Sequence, residues 1–260
     1  MTTISVPYHL DEQLEDFAAG VTVDRTVTTE LPSEDPWRRM AVLYEQVARA
    51  VAGSEAVPVV VSGDCTTSLG VLAGLQRGDG EIGIVWFDAH ADFHTEDTTT
   101  SGYLGGMPLA LAVGVGTLTL PTALGLRPVP ESQVLLVDAR DTDPGERDLL
   151  AKSSVRRTAV DSLHPDDLPP GRLYLHLDLD VCSPEQVPDL LYPTAGGPGV
   201  EAVLAAVARV IGTGRVAAVG LALTWRHDLS TTEHRVLVER FVSACGHPRG
   251  GGSRSENGGV

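Results

Sequence analysis

Short apolar runs alternate along the chain with longer stretches whose apolar positions recur at helical spacing. The short runs predict strands over residues 21–27, 59–61, 82–87, 134–137, 172–177 and 216–223. The longer stretches predict helices over 37–52, 67–76, 107–113, 144–151, 200–211 and 231–244. In the first helix, Met40, Leu43, Tyr44 and Val47 fall on one face. Strand–helix alternation of this kind implies an α/β fold, a three-layer α-β-α sandwich around a mostly parallel central sheet. The pattern extends over 1–245 as a single domain, and the Gly/Ser-rich stretch 246–260 is expected to be a disordered tail. Residues 93–106, rich in Thr, Gly and Asp, are long enough to be a functional loop rather than a plain connector.

Candidate chemistry sits where two of these strands end. The run 82–87 closes in Asp88-Ala89-His90-Ala91-Asp92, and the run 172–177 closes in Asp178-Leu179-Asp180. Side chains in extended backbone alternate, so each cluster projects its carboxylates and imidazole to one side. In parallel sheets, ligands bind beyond the carboxyl ends of the strands, where both clusters fall. Four carboxylates cannot share a small space ionised unless cations neutralise them. A lone Asp pair is ordinary solvated turn chemistry; two such clusters on strand ends point to a dinuclear metal site.

Composition narrows the partners. With 19 basic against 35 acidic residues, the chain would repel a phosphate backbone, so no nucleic-acid partner is expected. No basic run suggests a membrane surface, and no apolar stretch is long enough to span a bilayer. The start, Met1-Thr2-Thr3-Ile4-Ser5, lacks the features of a signal peptide. Cys65, Cys182 and Cys245 show no framework spacing, which fits a reducing, cytoplasmic setting.

The two acidic motifs, in this order, resemble the metal motifs of the arginase (ureohydrolase) family. More of the chain, from about residue 59 to 227, follows in register. Ser62-Gly63-Asp64-Cys65-Thr66 resembles the family's G-G-D-H-S with cysteine in the histidine place. The segment from Thr98 through Ser101, Gly102, Tyr103 and Gly105 to Gly106 resembles the substrate loop T-T-T-S-G-N-L-H-G. Asp141-Thr142-Asp143-Pro144-Gly145-Glu146 resembles D-V-D-P-G-E, whose carboxylates receive a substrate α-amino group. The resemblance implies two Mn²⁺ ions per subunit, one held by Cys65, Asp88, Asp92 and Asp178, the other by His90, Asp88, Asp178 and Asp180. It also implies a metal-bridging hydroxide as nucleophile, with Asp88 and Asp92 as catalytic carboxylates. The implied partner is a small guanidino amino acid, bound through His94, Thr99, Ser101, Asp143, Glu146 and Trp225.

Departures from the family pattern sharpen the substrate. Cys65 is either a thiolate ligand, which would soften the site and make it oxidisable, or a buried small apolar residue beside a site short of one ligand. Gly105 stands where the family carries a histidine thought to shuttle protons; His94 is the nearest replacement, although it matches a carboxylate-binding position. Trp225 stands where a glutamate usually pairs with the guanidinium; it is either a pocket wall or a core aromatic. Ser183 replaces a third motif aspartate and reads as structural. Losing the cation partner and the shuttle favours a substrate less basic than arginine. These features resemble the branch of the family that hydrolyses Nω-hydroxy-L-arginine to hydroxyurea and L-ornithine in antibiotic (D-cycloserine) biosynthesis. The competing readings are a conventional arginase or other guanidino-acid hydrolase, an inactive member acting as a binding protein, and a deacetylase of the wider superfamily. Deacetylases lack the T-T-T-S-G and D-P-G-E segments. A monomer is expected, since the last helix runs into the glycine-rich tail.

Overall fold

The computed structural model describes residues 1–15, 17, 21–226 and 231–246. Its strands are β1 (Thr2–Val6), β2 (Tyr8–His9), β3 (Glu12–Gln13), β4 (Arg25–Thr26), β5 (Pro58–Ser62), β6 (Ile82–Asp88), β7 (Val134–Asp138), β8 (Arg156–Thr158), β9 (Arg172–Asp178) and β10 (Val216–Ala222). The α-helices are α1 (Pro36–Ala52), α2 (Ser68–Leu75), α3 (Pro108–Ala112), α4 (Thr119–Leu124), α5 (Pro144–Leu150), α6 (Val200–Ile211) and α7 (Thr232–Gly246). Eight strands form one parallel sheet in the order β4-β1-β5-β10-β9-β6-β7-β8, while β2 and β3 pair as a small antiparallel ribbon.

The period-two rule divides the core. Even-numbered positions such as Ile84 and Trp86 of β6, Leu136 of β7 and Tyr174 of β9 pack with α1 to α4 on one face. Odd-numbered neighbours Val85, Phe87, Leu135, Val137, Leu173, Leu175 and Leu177 pack with α6 and α7 on the other. Because both faces are covered, the central strands read as continuous apolar runs rather than as alternating ones. Helix α1 starts on Asp35, whose side chain accepts from the Arg38 amide, with Pro36 in the first turn. It packs closely on α2, where a Cβ at Gly74 would lie 2.6 Å from the Ala48 carbonyl oxygen.

Several elements depart from the sequence expectation. The strand expected over 21–27 shrinks to Arg25–Thr26 at the sheet edge, where only one neighbour supplies backbone partners. The carboxylate of Asp24 instead accepts from the Thr3 amide at 2.7 Å. The inner strand beside it is β1, whose brief Thr-Ile-Ser-Val alternation is too short to signal a buried strand. At the opposite edge, the charged β8 carries no apolar signal because an edge strand needs little, and charge there discourages further pairing. The expected helix over 107–113 is present as α3, preceded by a 3-10 turn (Leu104–Gly106), and α4 was not anticipated. Helix α7 runs through Gly246, and the rest of the expected tail lies outside the described residues, as does His227. Among the described residues, no helix is long and apolar enough to cross a membrane.

Candidate metal centre and substrate cavity

Strands β5, β10, β9 and β6 are neighbours at the middle of the sheet, and their carboxyl ends bring the acidic motifs together. Past β5, Gly63 lies so close to the Tyr8 carbonyl that any side chain would clash, and Asp64 caps the following turn by accepting from the amides of Thr66 at 2.7 Å and Leu10 at 2.6 Å. That turn delivers Cys65 to the ends of β6 and β9. Its Sγ donates to Asp178 Oδ2 at 3.0 Å and lies 3.9 Å from Asp88 Oδ2.

The carboxylates are individually held. Asp88 accepts from the His90 amide at 2.7 Å and from Trp86 Nε1 at 3.1 Å. Asp178 accepts from the Asp180 amide at 2.9 Å and from the Thr224 hydroxyl. Asp180 accepts from the Ala89 amide at 3.1 Å and lies 2.9 Å from His90 Nδ1. The other nitrogen of His90 meets Thr194 Oγ1 at 3.3 Å, which fixes the ring. Asp92 has φ 50°, a left-handed conformation that costs energy outside glycine. Its carbonyl oxygen accepts from the amides of Leu109 and Ala110, tying the strained residue to the start of α3.

Two sets of three side chains can hold a metal ion among the described residues: Cys65, Asp88 and His176, and Asp88, His90 and Asp180. Within each set the ligand atoms lie within 4.8 Å of one another. Asp88 belongs to both. Burial pushes the carboxyls of Asp178 and Asp180 up to about 7, assisted by the charge of Asp180 on the first and of Asp88 on the second. Burial also raises Asp88 and, further, Asp92. Burial alone would pull His90 down, but its hydrogen bonds to Asp180 and Asp88 prevail and push it up to about 12. The Cys65 thiol is pushed up by burial and by the charges of Asp178, Asp92 and Asp88. Asp92 Oδ2 and His176 Nε2 are among the buried atoms with no hydrogen-bond partner. An orphaned buried polar atom costs about 1–3 kcal/mol. Clustered acids held above their ordinary range, together with orphaned donor atoms, fit a pair of divalent cations.

A cavity of about 240 Å³ opens onto this cluster. It is lined by Asp88, His90, Asp92, Asp178 and Asp180 together with His94, Thr99, Thr100, Ser101, Tyr103, Asp143, Glu146, Tyr192 and Thr224. The residues expected from the loop and from the D-P-G-E segment thus share one space with the acids. Thr100 Oγ1 donates to Asp143 at 3.1 Å, and buried Glu146 accepts from the Phe93 amide at 2.9 Å. His94 Nδ1 meets Thr98 Oγ1 at 3.2 Å, and burial lowers its pKa, so the ring is neutral at pH 7.

Trp225 is a correction. It does not line the cavity: it is buried in the core beneath the second face, with its ring stacked on His234 at 4.4 Å. Its indole suits an apolar core, and the backbone beyond β10 turns it there by bridging Leu190. Ser183 serves a turn, accepting from the Glu185 amide at 3.3 Å.

Sequence reasoning missed Tyr103 and His176. A Cβ at Gly105 would meet the Tyr103 ring at 2.3 Å, so the phenol fills the space of the absent side chain. Its hydroxyl meets His9 Nε2 at 3.2 Å. The Gly105 substitution was therefore half of a pair, the other half two residues earlier. His176 was legible by extending the strand-end rule one step back: His176, Asp178 and Asp180 repeat the spacing of Asp88, His90 and Asp92.

This arrangement defines an α/β protein with a carboxylate-rich candidate metal centre at the carboxyl edge of a parallel sheet. The arginase family model matches residues 3–222, and the chain belongs to the arginase family. Arginase from Bacillus subtilis (strain 168) is 31% identical over 169 residues, covering 58% of this chain and 56% of that protein. N(omega)-hydroxy-L-arginine amidinohydrolase from Streptomyces lavendulae is 32% identical over 167 residues, covering 60% and 59%. The alignments thus span little more than half the length of these curated relatives. The structure of arginase from Bacillus caldovelox superposes with a TM-score of 0.80 at 22% identity, covering 95% of this chain and 98% of that one, which shows the shared fold.

Proposed function

We propose that the protein is a hydrolase of guanidino amino acids whose substrate is Nω-hydroxy-L-arginine, cleaved to hydroxyurea and L-ornithine. The observation that carries this reading is the shared cavity, in which the acid cluster meets a polar set suited to an amino-acid head group, Thr99, Ser101, Asp143 and Glu146. The departures refine it. Trp225 is turned into the core, so no carboxylate from that position pairs with a full guanidinium. An N-hydroxyguanidine is less basic and needs that partner less. The likeness to the Streptomyces lavendulae amidinohydrolase supports the same substrate, and the sequence resemblance adds a proposed place in antibiotic (D-cycloserine) biosynthesis.

Two Mn²⁺ ions suit the donor set, and when bound they would supply Lewis acidity and an acidified water. Cys65, Asp88, Asp92 and Asp178 would hold one, and His90, Asp88, Asp178 and Asp180 the other. The chain's own residues do the rest. Asp143 and Glu146 orient the α-amino group, and neutral His94 with Thr99 and Ser101 receives the carboxylate. Water adds to the hydroxyguanidine carbon, and the bond from that carbon to the ornithine nitrogen breaks. Asp92, with one oxygen free of any hydrogen bond, takes the proton from the water and returns it to the departing amine.

Ornithine release, measured in parallel with L-arginine and Nω-hydroxy-L-arginine on Mn²⁺-loaded protein, tests the substrate. Turnover confined to the hydroxylated compound supports the reading; equal turnover of arginine replaces it with arginase proper. That second reading is favoured by the Bacillus subtilis arginase, whose identity of 31% is scarcely lower than 32%. Asp92→Asn is expected to lower turnover by about a thousandfold or more even with enough Mn²⁺ added to fill both sites, because an amide nitrogen cannot accept the proton.

A further inference from the structure

We propose that His176 is a metal-binding residue of the Cys65 half of the centre, supplying the imidazole that Cys65 does not. The inference rests on reading the acid cluster as a metal centre. His176 lies within β9, two residues before Asp178 and on the same face of the strand as Tyr174 and Asp178. In the sheet it pairs with Trp86 of β6, as Asp88 follows two residues later on that strand. One ring nitrogen, the Cys65 sulfur and an Asp88 oxygen lie within 4.8 Å of one another, a span that one ion can bridge.

The rest of the ring is fixed as a ligand's would be. Nδ1 meets the Tyr174 hydroxyl at 3.0 Å, and the face stacks on Trp86 with centroids 3.6 Å apart. Nε2 is then left buried, without a partner. A core histidine with a purely structural role satisfies both nitrogens. Here one nitrogen is hydrogen-bonded and the other is open, the pattern of an imidazole with one nitrogen left for a metal. The substitution at position 65 is thereby complemented. The turn after β5 offers a short side chain, and the longer imidazole reaches the same place from β9, one pleat below the carboxylates.

X-ray absorption on the full chain loaded with Co²⁺ counts imidazoles without any mutation. An average of about one imidazole per ion is expected, His90 and His176 being divided between two ions; about one half would overturn the inference. His176→Phe keeps an aromatic of similar size against Trp86. In it the ion on the Cys65 side should bind at least about tenfold more weakly while the ion on the His90 side is retained, as read by equilibrium dialysis and ion content. Two ions bound with unchanged affinity would overturn the inference and leave the metal centre standing. Wild-type protein that binds no divalent ion would instead overturn the metal-centre reading and this inference with it. If the variant does not fold, the imidazole count on the wild type decides alone.

Discussion

The two halves of the acid cluster are built on the same strand-end rule and differ in nearly everything else. Around His90 the half is partly open: the imidazole is 29% exposed, hydrogen-bonded on both nitrogens, and held charged by Asp180 and Asp88. Around Cys65 and His176 the half is sealed. Both side chains are buried, the thiol and one imidazole nitrogen face carboxylates, and burial pulls the His176 ring down to about 3. The first half is organised by charge even without an ion. The second consists of neutral groups and an orphaned atom, so a cation has more to supply there.

The largest effect should come from removing what the halves share. Asp88→Asn is expected to abolish turnover, by about a thousandfold or more, and to lower ion content on both sides, since Asp88 belongs to both ligand sets. Ion analysis that shows only one site weakened would mean the halves are independent. A smaller effect follows from protonation. Asp178 and Asp180 have pKa values of about 7 in the folded chain, above their ordinary unfolded range. A raised carboxyl pKa gives stability that is complete below the unfolded value and is lost as pH rises to about 7. Divalent ions replace those protons. The rise in Tm on adding Mn²⁺ should therefore be greater at pH 8 than at pH 5.5, and a rise independent of pH would contradict the coupling. The smallest effect probes the outer support of the open half. Thr194→Val removes the partner of His90 Nε2 and should weaken one ion by about tenfold, leaving the sealed half unchanged. Equal weakening of both ions would show that the halves communicate through Asp88.

Much of the open half was legible because it lies within one stretch of chain. Asp88 and His90 stand two positions apart at the end of β6, so the local pattern alone brings them together. The sealed half joins residues from the turn after β5, from β6 and from β9, and neighbours in this sheet are not neighbours in sequence. His176 looked like core because Leu175 and Leu177 flank it, and an apolar run conceals which of its faces meets the site. Tyr103 was hidden for a related reason. A missing side chain at Gly105 is visible in the sequence, whereas the ring that fills its space depends on how the loop folds back.

Period and punctuation in the chain determined that a parallel sheet would form and that acids would stand at the carboxyl ends of its strands. These are local properties: strands of buried apolar residues need covering on both faces, and alternation sets direction. Tertiary structure decided the strand order, the edge strands β4 and β8, the place of β1 beside β4, the burial of Trp225 away from the cavity, and the meeting of His176 with Cys65. Each of these is a relation between distant segments, settled by which surfaces exclude water from one another rather than by any residue's own preference.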